Sequence, residues 1–546
     1  MVKIGETVTI TDTTKLLGDV ASLYLNQKFS DIALLVDGEK IYAHKVILAV
    51  RSEYFESLLY EDPQNTKQTE ITITGASLDA LRSLLKYIYT GTINVLSDVE
   101  TTLQMLGLAH QYSFADLQTA LIKQIKPLLN LENICTVFNT ANIYDLEELL
   151  QTCHSFMELN ALEVVAGDCF TDLSQKSMIK LLERSTFFAP EIEIFKGVAK
   201  WCKINNDVDD LVIQCVRLSW MTVVDIVSTV WPSRLFDCEK LLQAIAEIVG
   251  VKTKLSTSRG FYLLDENLAT VQHKAEVISG SNSSWLLMGG GNVESKFTSH
   301  YIDGKSAIIV KLGAPSFVNH FKMRLWDGDQ RYYSYYISVS LDQKNWKRVI
   351  DYSLISCRSD QVLFFNQQVV KYIKIGGTHN TANNGFHIIS FEAYFKNDVP
   401  TTTNGIICPN YNVATLDKKA VVIKGENPSA LLDGNARDYD GNKGFSYHFF
   451  DKGNLTIQLA QPYMISTMKL LLWDGDGRHY RYLVETSVNN SNWEIAVDLR
   501  NKDCRSWQNL LFKERAVVFI RITGTHNTDT GNTGFHVVHF ECPSEV

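Results

Sequence analysis

The chain has 546 residues and a formal net charge of −9. Its length exceeds one ordinary hydrophobic core, so a prior of about 150 residues per domain predicts three or four domains. The acidic balance disfavours a general nucleic-acid binder, which needs a basic face for the phosphates. Because no window approaches 18 consecutive apolar residues and the N-terminal stretch lacks an apolar signal region, we expect no membrane span and a cytoplasmic chain, with the nucleus left open.

The first predicted elements form a small α/β domain. SDIALLVDGEKIYAHKVILA (30–49) reads as a strand, an Asp37-Gly38 turn, a returning strand and the start of a helix. SLDALRSLLKYIYTG (77–91) has leucines at helical spacing, with Ser77 as N-cap and Gly91 as the terminating residue. From about Asp98 to Gly250 helical periodicity continues with almost no strand signal. The first half is therefore predicted to be a mixed α/β domain followed by an all-helical one.

The ten cysteines do not indicate a disulfide framework. Six of them lie in the helical stretch, mostly beside apolar residues, and none forms a CxxC pair. We therefore predict reduced core cysteines rather than a structural zinc site. The chain also lacks a GxSxG elbow, a phosphate loop, an HExxH helix and a dinucleotide fingerprint, so we predict no enzyme, no cofactor and no metal.

The first half resembles two known families. FSDIALLVDGEKIYAHKVILAVRSEYFESLLY (29–60), with the later YIYTG (87–91), resembles the BTB/POZ domain, and we place that domain at 11–125. The segment at 141–160 and FFAPEIEIFKGVAKWCK resemble the helical BACK domain, placed at 126–250. The resemblance implies a homodimer formed through the BTB domain and, often, a substrate adaptor for cullin-3 ubiquitin ligases.

The BTB resemblance also assigns candidate residues. Asp31 and Lys45 match a charged pair near the family's dimer interface, although a local salt bridge or helix cap explains them equally well. The region where the family meets its cullin matches Tyr54, Phe55, Leu58 and Tyr112. Apolar residues at this spacing more often belong to a core, so both interpretations stay open.

The second half is a tandem repeat. LWDGDQRYYSYYISVSLDQKNW starts at Leu325 and returns as LWDGDGRHYRYLVETSVNNSNW at Leu472. Short runs rich in Val, Ile, Tyr, Phe and Trp alternate with Gly, Asn and Asp turns, which predicts two all-β sandwiches at 262–397 and 406–546. In the strand after WDGD the odd positions match between copies and the even ones diverge. Since alternate strand side chains share a face, the matching residues are predicted to face each core.

WDGD, a tyrosine-rich strand and a closing Trp resemble the discoidin, or F5/8 type C, domain. The resemblance implies a jelly-roll sandwich whose loops bind lipid head groups, glycans or proteins. Candidate ligand residues at loop ends are Asp327, Asp329, His379, Asn380, Asp474, Asp476, His526 and Asn527. Turn formation explains the aspartates better than calcium, and for the GTHN loops the two explanations stay open. Extracellular members pair two terminal cysteines; Cys408 and Cys542 match this in the second copy only, which favours a reducing compartment.

We therefore predict a multidomain chain: α/β BTB, all-α BACK and two all-β jelly rolls. The predicted function is a non-catalytic dimeric adaptor that binds cullin-3 and recruits a protein client, of unknown identity, through the discoidin-like pair. One alternative is a BTB-mediated scaffold without ligase activity. Another is an intracellular module that binds glycans or anionic lipids, for which Arg437, Lys443 and Phe445 form the cluster to test.

Overall fold

The computed structural model describes residues 13–61, 68–74, 77–93, 98–205, 210–251, 257–288, 296–450, 452–529, 531 and 533–543. The chain forms two compact units, residues 1–258 and 259–546. Along the described residues, no helix has the length and apolar character needed to cross a membrane.

Unit 1 begins with a small sheet. Strand β1 (Ile32–Val36) pairs antiparallel with β2 (Glu39–Ala43) and parallel with β3 (Glu70–Thr72), in the order β2-β1-β3. Asp37 and Gly38 connect β1 to β2 with φ values of 48° and 84°. A tight hairpin turn of this kind needs positive φ at both central residues, which Asp-Gly adopts at low cost. The predicted strand–turn–strand is confirmed.

The rest of unit 1 is helical. The α-helices are α1 (Thr13–Ala21), α2 (Lys45–Arg51), α3 (Glu53–Glu56), α4 (Leu78–Thr90), α5 (Val99–Gln111), α6 (Ala115–Ile125), α7 (Ile134–Ile143), α8 (Glu147–Leu159), α9 (Ala161–Ala166), α10 (Gln175–Glu183), α11 (Glu191–Asn205), α12 (Asp210–Gln214), α13 (Val223–Asp225), α14 (Trp231–Ser233) and α15 (Cys238–Ile248). Two π-helical segments are Ser57–Glu61 and Ile226–Val230, and three 3-10 segments are Lys126–Leu128, Asp168–Asp172 and Leu218–Trp220.

Helix α4 shows how local sequence sets these elements. The Ser77 side chain accepts a hydrogen bond from Ala80 N, and Gly91 ends the helix in the left-handed region while its N–H donates to Tyr87 O. Leu81, Leu84, Leu85 and Ile88 are buried along one face. This face belongs to a continuous core that extends from β1 to α15, so the BTB-like and helical parts of unit 1 share one hydrophobic interior.

Unit 2 contains two copies of one topology. The first copy has β4 (Glu276–Ser279), β5 (Thr298–Tyr301), β6 (Ile308–Leu325), β7 (Tyr333–Ser340), β8 (Lys347–Cys357), β9 (Asp360–Asn380) and β10 (Gly385–Tyr394). The second has β11 (Thr402–Thr403), β12 (Ile406–Ile407), β13 (Val421–Lys424), β14 (Ser446–Phe449), β15 (Leu455–Leu472), β16 (Tyr480–Ser487), β17 (Glu494–Cys504), β18 (Trp507–Asn527) and β19 (Gly534–Glu541). The 3-10 segments are Ser283–Trp285 and Pro428–Leu431.

Corresponding strands pair in the same way in both copies. The first sheet has the order β5-β10-β6-β9-β7-β8, with β4 beside β6. The second reproduces it: β14 pairs with β19, β19 with β15, and β15 continues through β18 and β16 to β17. Register shifts in the long β6–β9 and β15–β18 pairs mark bulges, which bend strands and let a sheet fold over its own core. The prediction that the repeat specifies a shared all-β fold is confirmed.

The predicted inward face is confirmed as well. Tyr333 and Tyr335 in the first copy, and Tyr480 and Tyr482 in the second, are fully buried in their respective cores. In the first copy the opposite face of β7 has contacts of its own. There the Arg348 guanidinium stacks 4.1 Å above the Tyr336 ring, and the neighbouring serines of β7 are buried.

The two copies pack directly against each other. The Gln461 side chain exchanges two hydrogen bonds with the Val362 backbone, at 2.6 and 3.0 Å. Ala460 O accepts from Arg358 N and from the Gln361 amide, both at 2.9 Å. Phe364 of the first copy belongs to the second copy's hydrophobic core. The discoidin-like pair is therefore one compact body rather than two separate domains joined by a linker.

Candidate functional site

The predicted cullin-binding residues lie at one aromatic cluster of unit 1. Ser52 accepts a hydrogen bond from Phe55 N and donates to Tyr112 O at 2.8 Å, which ties α3 to the end of α5. The Phe55 and Tyr112 rings stack at 4.7 Å and both are buried. Tyr54 meets Tyr112 edge-on at 5.0 Å yet keeps 37% of its surface exposed, and Leu58 is partly buried. Tyr54 thus presents a surface that Phe55 and Tyr112 support from inside.

The predicted dimer residues meet through the backbone. Asp31 Oδ1 accepts a hydrogen bond from Lys45 N at 2.8 Å, at the first residue of α2. His44, the residue before α2, makes no side-chain cap of its own. Its buried ring instead contacts the Tyr89 hydroxyl and Lys28 O, each at 2.8 Å. Asp31, which directly precedes β1, therefore caps α2, and a dimer role for it and Lys45 stays a prediction.

The WDGD motifs build the same ion pair in both copies. Asp329 accepts hydrogen bonds from the Arg331 backbone and guanidinium, and the guanidinium lies 4.2 Å above the Trp326 ring. Asp476 and Arg478 repeat this arrangement in the second copy, 4.5 Å above the corresponding tryptophan ring. The Arg478 hydrogen bonds lower the pKa of Asp476 to about 2. The second aspartate of each motif is therefore charged and already paired within the chain.

The glycine and first aspartate of each motif also have internal roles. A Cβ at Gly328 or Gly475 would lie 2.5 Å from the ring of the motif's own tryptophan. Asp327 accepts from the Ser359 hydroxyl, and Asp474 accepts from the Tyr439 hydroxyl, each at 2.6 Å. In the part of the chain that the structure describes, no group of three or more His, Cys, Asp and Glu side chains is placed to hold a metal ion.

The GTHN segments were predicted to follow strands, but they form the last residues of β9 and β18, where they combine internal and exposed side chains. Asn380 donates to Gly385 O at 2.6 Å, and Asn527 donates to Gly534 O at 3.3 Å, so each amide closes the turn that leads to the next strand. His379 and His526 are exposed. Of the eight predicted ligand residues, Asp329 and Asp476 are exposed as well, but both are paired with arginines, whereas the two histidines are exposed at strand ends. A ligand role for any of the eight stays a prediction.

Three family models match the chain. The BTB/POZ domain matches residues 21–129, the BACK family ("BTB And C-terminal Kelch") matches 134–230, and the F5/8 type C domain matches 273–391. The BTB domain of human gigaxonin matches 22% of this chain and 98% of its own length, with 27% identity and a TM-score of 0.19.

Full-length relatives extend the match to almost the whole chain. BTB/POZ domain-containing protein 9 of Rattus norvegicus and of Homo sapiens are each 40% identical over 536 residues, covering 96% of this chain and 87% of theirs. The Drosophila melanogaster protein of that name has the same identity and covers 74% of its length. The chain belongs to the BTB/POZ domain-containing protein 9 family. None of the matched BTB/POZ, BACK and F5/8 models is a catalytic family.

The structure of this BTB/POZ domain-containing protein 9 relative shows a repeated histidine that our sequence reasoning missed. His300 Nε2 accepts a hydrogen bond from Gly377 N at 2.8 Å, and His448 Nε2 accepts from Gly524 N at 2.9 Å. Both histidines are buried, and desolvation lowers the pKa of each. TSHY (298–301) and SYHF (446–449) carry the only sequence signal, which is too short to stand out beside the WDGD match.

Acid is expected to destabilise unit 2 through its buried histidines. Burial lowers the pKa of His320 to about 4, compared with about 6.5 for an unfolded histidine. Between these values the unfolded chain binds a proton that the folded chain does not, so stability falls as pH falls. We expect protonation of His320 to lower the free energy of unfolding by about 2 kcal/mol between pH 7 and pH 5. Urea unfolding of the full chain at both pH values measures it.

The matched variants for this pH test are His320→Gln and His379→Gln. His320→Gln is expected to reduce the pH dependence by about 2 kcal/mol. His379→Gln, which replaces an exposed histidine, is expected to keep the wild-type dependence. Equal pH dependence in the wild type and in His320→Gln would show that His320 is not the source of the acid destabilisation.

Proposed function

We propose that the protein is a non-catalytic, dimeric adaptor of cullin-3 ubiquitin ligases and that its discoidin pair recruits a protein client. The BTB–BACK combination supports this proposal because it is typical of cullin-3 substrate receptors. The observation that carries it is the exposed Tyr54 on a rigid aromatic support, in the region where the BTB family meets its cullin.

Exposed apolar residues on two helices support the dimer. Helix α1 buries none of its residues within the described chain, and Leu16 and Leu17 are about two-thirds exposed. Val46 and Val50 of α2 are also exposed and lie one helical turn apart. Apolar surface of this kind favours association, and a twofold dimer buries the same surface on both partners. We propose a second copy of the chain as the partner of these helices.

The cullin proposal is tested by titrating the full-length protein with the N-terminal domain of cullin-3 in a calorimeter, with molar mass measured in solution. The proposal predicts a 2:2 complex with a Kd below about 1 µM, which corresponds to about −8 kcal/mol. A folded dimer that does not bind cullin-3 would favour the alternative of a BTB-mediated scaffold without ligase activity.

Tyr54→Ala is expected to weaken cullin-3 binding by at least about tenfold, equivalent to about 1.4 kcal/mol. A half-exposed tyrosine held by buried rings loses little conformational entropy on binding, which is why tyrosines dominate many interfaces. The free energy of unfolding should change by less than about 1 kcal/mol. Calorimetry measures both Kd values, and urea unfolding checks the fold.

Tyr42→Ala is the matched control for that substitution. Tyr42 lies on β2 and is 38% exposed, so its removal deletes a similar area of surface tyrosine. We expect its Kd to stay within about twofold of the wild type. If Tyr42→Ala and Tyr54→Ala weaken binding equally, Tyr54 has no specific contact with the cullin.

A protein client fits the discoidin pair better than a lipid or glycan does. In the cluster predicted for those ligands, Arg437 and Lys443 are exposed, but Phe445 is buried in a small core with Trp473 and Val538. That cluster therefore lacks an aromatic tip for membrane insertion or sugar stacking. We propose that the client contacts the pair as one body, with His379 and His526 exposed at the ends of β9 and β18.

A further inference from the structure

The strongest unassigned feature is a pair of buried thiols in the helical part of unit 1. Cys135 lies in the first turn of α7, and Cys169 lies in the 3-10 segment Asp168–Asp172. Their Sγ atoms are 3.1 Å apart although the residues are 34 positions apart in sequence, and both cysteines are free. Formation of a disulfide, with its S–S bond of about 2.05 Å, requires the two sulfurs to approach by about 1 Å.

The hydrogen bonds around the pair make the two thiols unequal. The Cys169 thiol donates to Leu131 O at 3.0 Å, which leaves the Cys135 proton for the hydrogen bond between the two sulfurs. The hydrogen bond from Cys135 lowers the pKa of Cys169, whereas this bond and burial raise the pKa of Cys135. Cys169 also keeps 7% of its surface exposed, while Cys135 has none. A thiol with these properties reacts first with a small oxidant, and its neighbour then resolves the product.

We propose that Cys135 and Cys169 form a reversible disulfide when the protein meets a hydroperoxide. The Cys169 thiolate attacks the O–O bond of hydrogen peroxide, which gives a sulfenic acid and releases hydroxide. Cys135 then attacks the sulfenic sulfur, so the S–S bond forms and the S–O bond breaks; overall, two thiols and one peroxide give one disulfide and two waters. Two electrons pass from the thiols to the peroxide, and an external thiol reverses the step.

The cross-link would close a loop that contains most of α7 together with α8 and α9. Closing a loop of this size restricts the unfolded chain, so the oxidised protein is expected to unfold at a higher temperature. Disulfides in reducing compartments are usually transient and responsive to oxidants, which is the behaviour that this pair predicts. The consequence for the protein is a helical region stiffened under oxidative conditions.

Peptide mapping of the native full-length protein tests the proposal. The protein is treated with hydrogen peroxide, denatured in iodoacetamide and cleaved after glutamate. Trypsin does not separate the thiols, because no Lys or Arg occurs between Lys126 and Lys176. Cleavage after Glu147 or Glu148 and after Glu158 or Glu163 puts Cys135, Cys153 and Cys169 on different peptides.

We expect a peptide pair linked through Cys135 and Cys169 that a reductant separates. Cys153, which is also buried, is the matched control, and we expect it to be alkylated at least about tenfold more completely at the same peroxide dose. If Cys135 and Cys169 stay reduced while the exposed Cys238 oxidises, the proposal fails. A link from either residue to Cys153 would also overturn it.

Two variants and a melting curve complete the test. Cys169→Ala should abolish the link, and Cys153→Ala should preserve it. The unfolding midpoint of the peroxide-treated wild type should rise by roughly 5–10 °C, and that of Cys169→Ala should not. A fall in the wild-type midpoint would indicate a cross-link formed outside the native fold and would contradict the proposal. If Cys169→Ala does not fold, the wild-type peptide map decides the question alone.

Discussion

Replacing Gly524 by alanine is expected to destabilise the second discoidin copy by about 3 kcal/mol or more, because a methyl group has no room there. A Cβ at Gly524 would lie 2.2 Å from Phe535 Cγ and 2.3 Å from Phe535 Cβ, and Phe535 is fully buried. The strand cannot easily move away, since the Gly524 N–H donates to the buried His448 ring. The glycine of GTHN is therefore required by the close approach of two strands, whether or not this segment binds a ligand.

Gly477→Ala is the control for this substitution. Gly477 follows the second WDGD motif, and a Cβ there meets no atom within 4 Å. We expect its free energy of unfolding to stay within about 0.5 kcal/mol of the wild type. Urea unfolding of the full chain followed by tryptophan fluorescence measures both variants. Gly377→Ala should reproduce the effect in the first copy, where Phe386 takes the place of Phe535. Equal stability of Gly524→Ala and Gly477→Ala would refute the packing explanation.

Much of the fold could be predicted because its determinants are local. The Asp37-Gly38 turn, the Ser77 cap and the Gly91 terminus are each set by the conformational preferences of one or two residues. The alternation of matching and diverging letters in the repeat likewise identified the buried tyrosine face, since side-chain direction in a strand has a period of two. Local patterns of this kind can be interpreted without knowledge of tertiary contacts.

The contacts between the two copies carried no such signal. Gln361 and Gln461 join the copies through backbone carbonyl and amide groups, so their partners are atoms that every residue possesses. Phe364 looks like an ordinary strand residue, yet it enters the core of the other copy. Neither the periodicity of a strand nor a motif predicts which residue of the other domain a strand residue will contact.

The candidate sites were predicted less completely than the fold for a similar reason. Helical spacing places Tyr54 and Phe55 in one region but does not state which of them faces the interior. For the WDGD aspartates the sequence favoured turn formation over calcium binding but did not identify their partners, and in the structure Asp329 and Asp476 bind Arg331 and Arg478. Polar residues in loops therefore need their geometry before a binding role can be assigned to them.

Phe55→Ala is expected to cost about 3–5 kcal/mol of unfolding free energy, because it removes a fully buried ring and leaves a cavity beside Tyr112. Tyr112 would lose its stacking partner at 4.7 Å, and the link between α3 and α5 would rest on the Ser52 hydrogen bonds. A full-chain urea titration measures the loss as a lower midpoint.

The comparison with Tyr54→Ala distinguishes a residue that stabilises the aromatic cluster from one that contacts cullin-3 directly. Both variants are compared under conditions where they are folded. Phe55→Ala should weaken cullin-3 binding and also lower the unfolding midpoint, whereas Tyr54→Ala should weaken binding and keep the wild-type unfolding curve. A Phe55→Leu variant, which refills most of the cavity, should recover stability and binding together. If Phe55→Leu regains stability but not binding, the Phe55 ring itself reaches the partner, and the surface must open on complex formation.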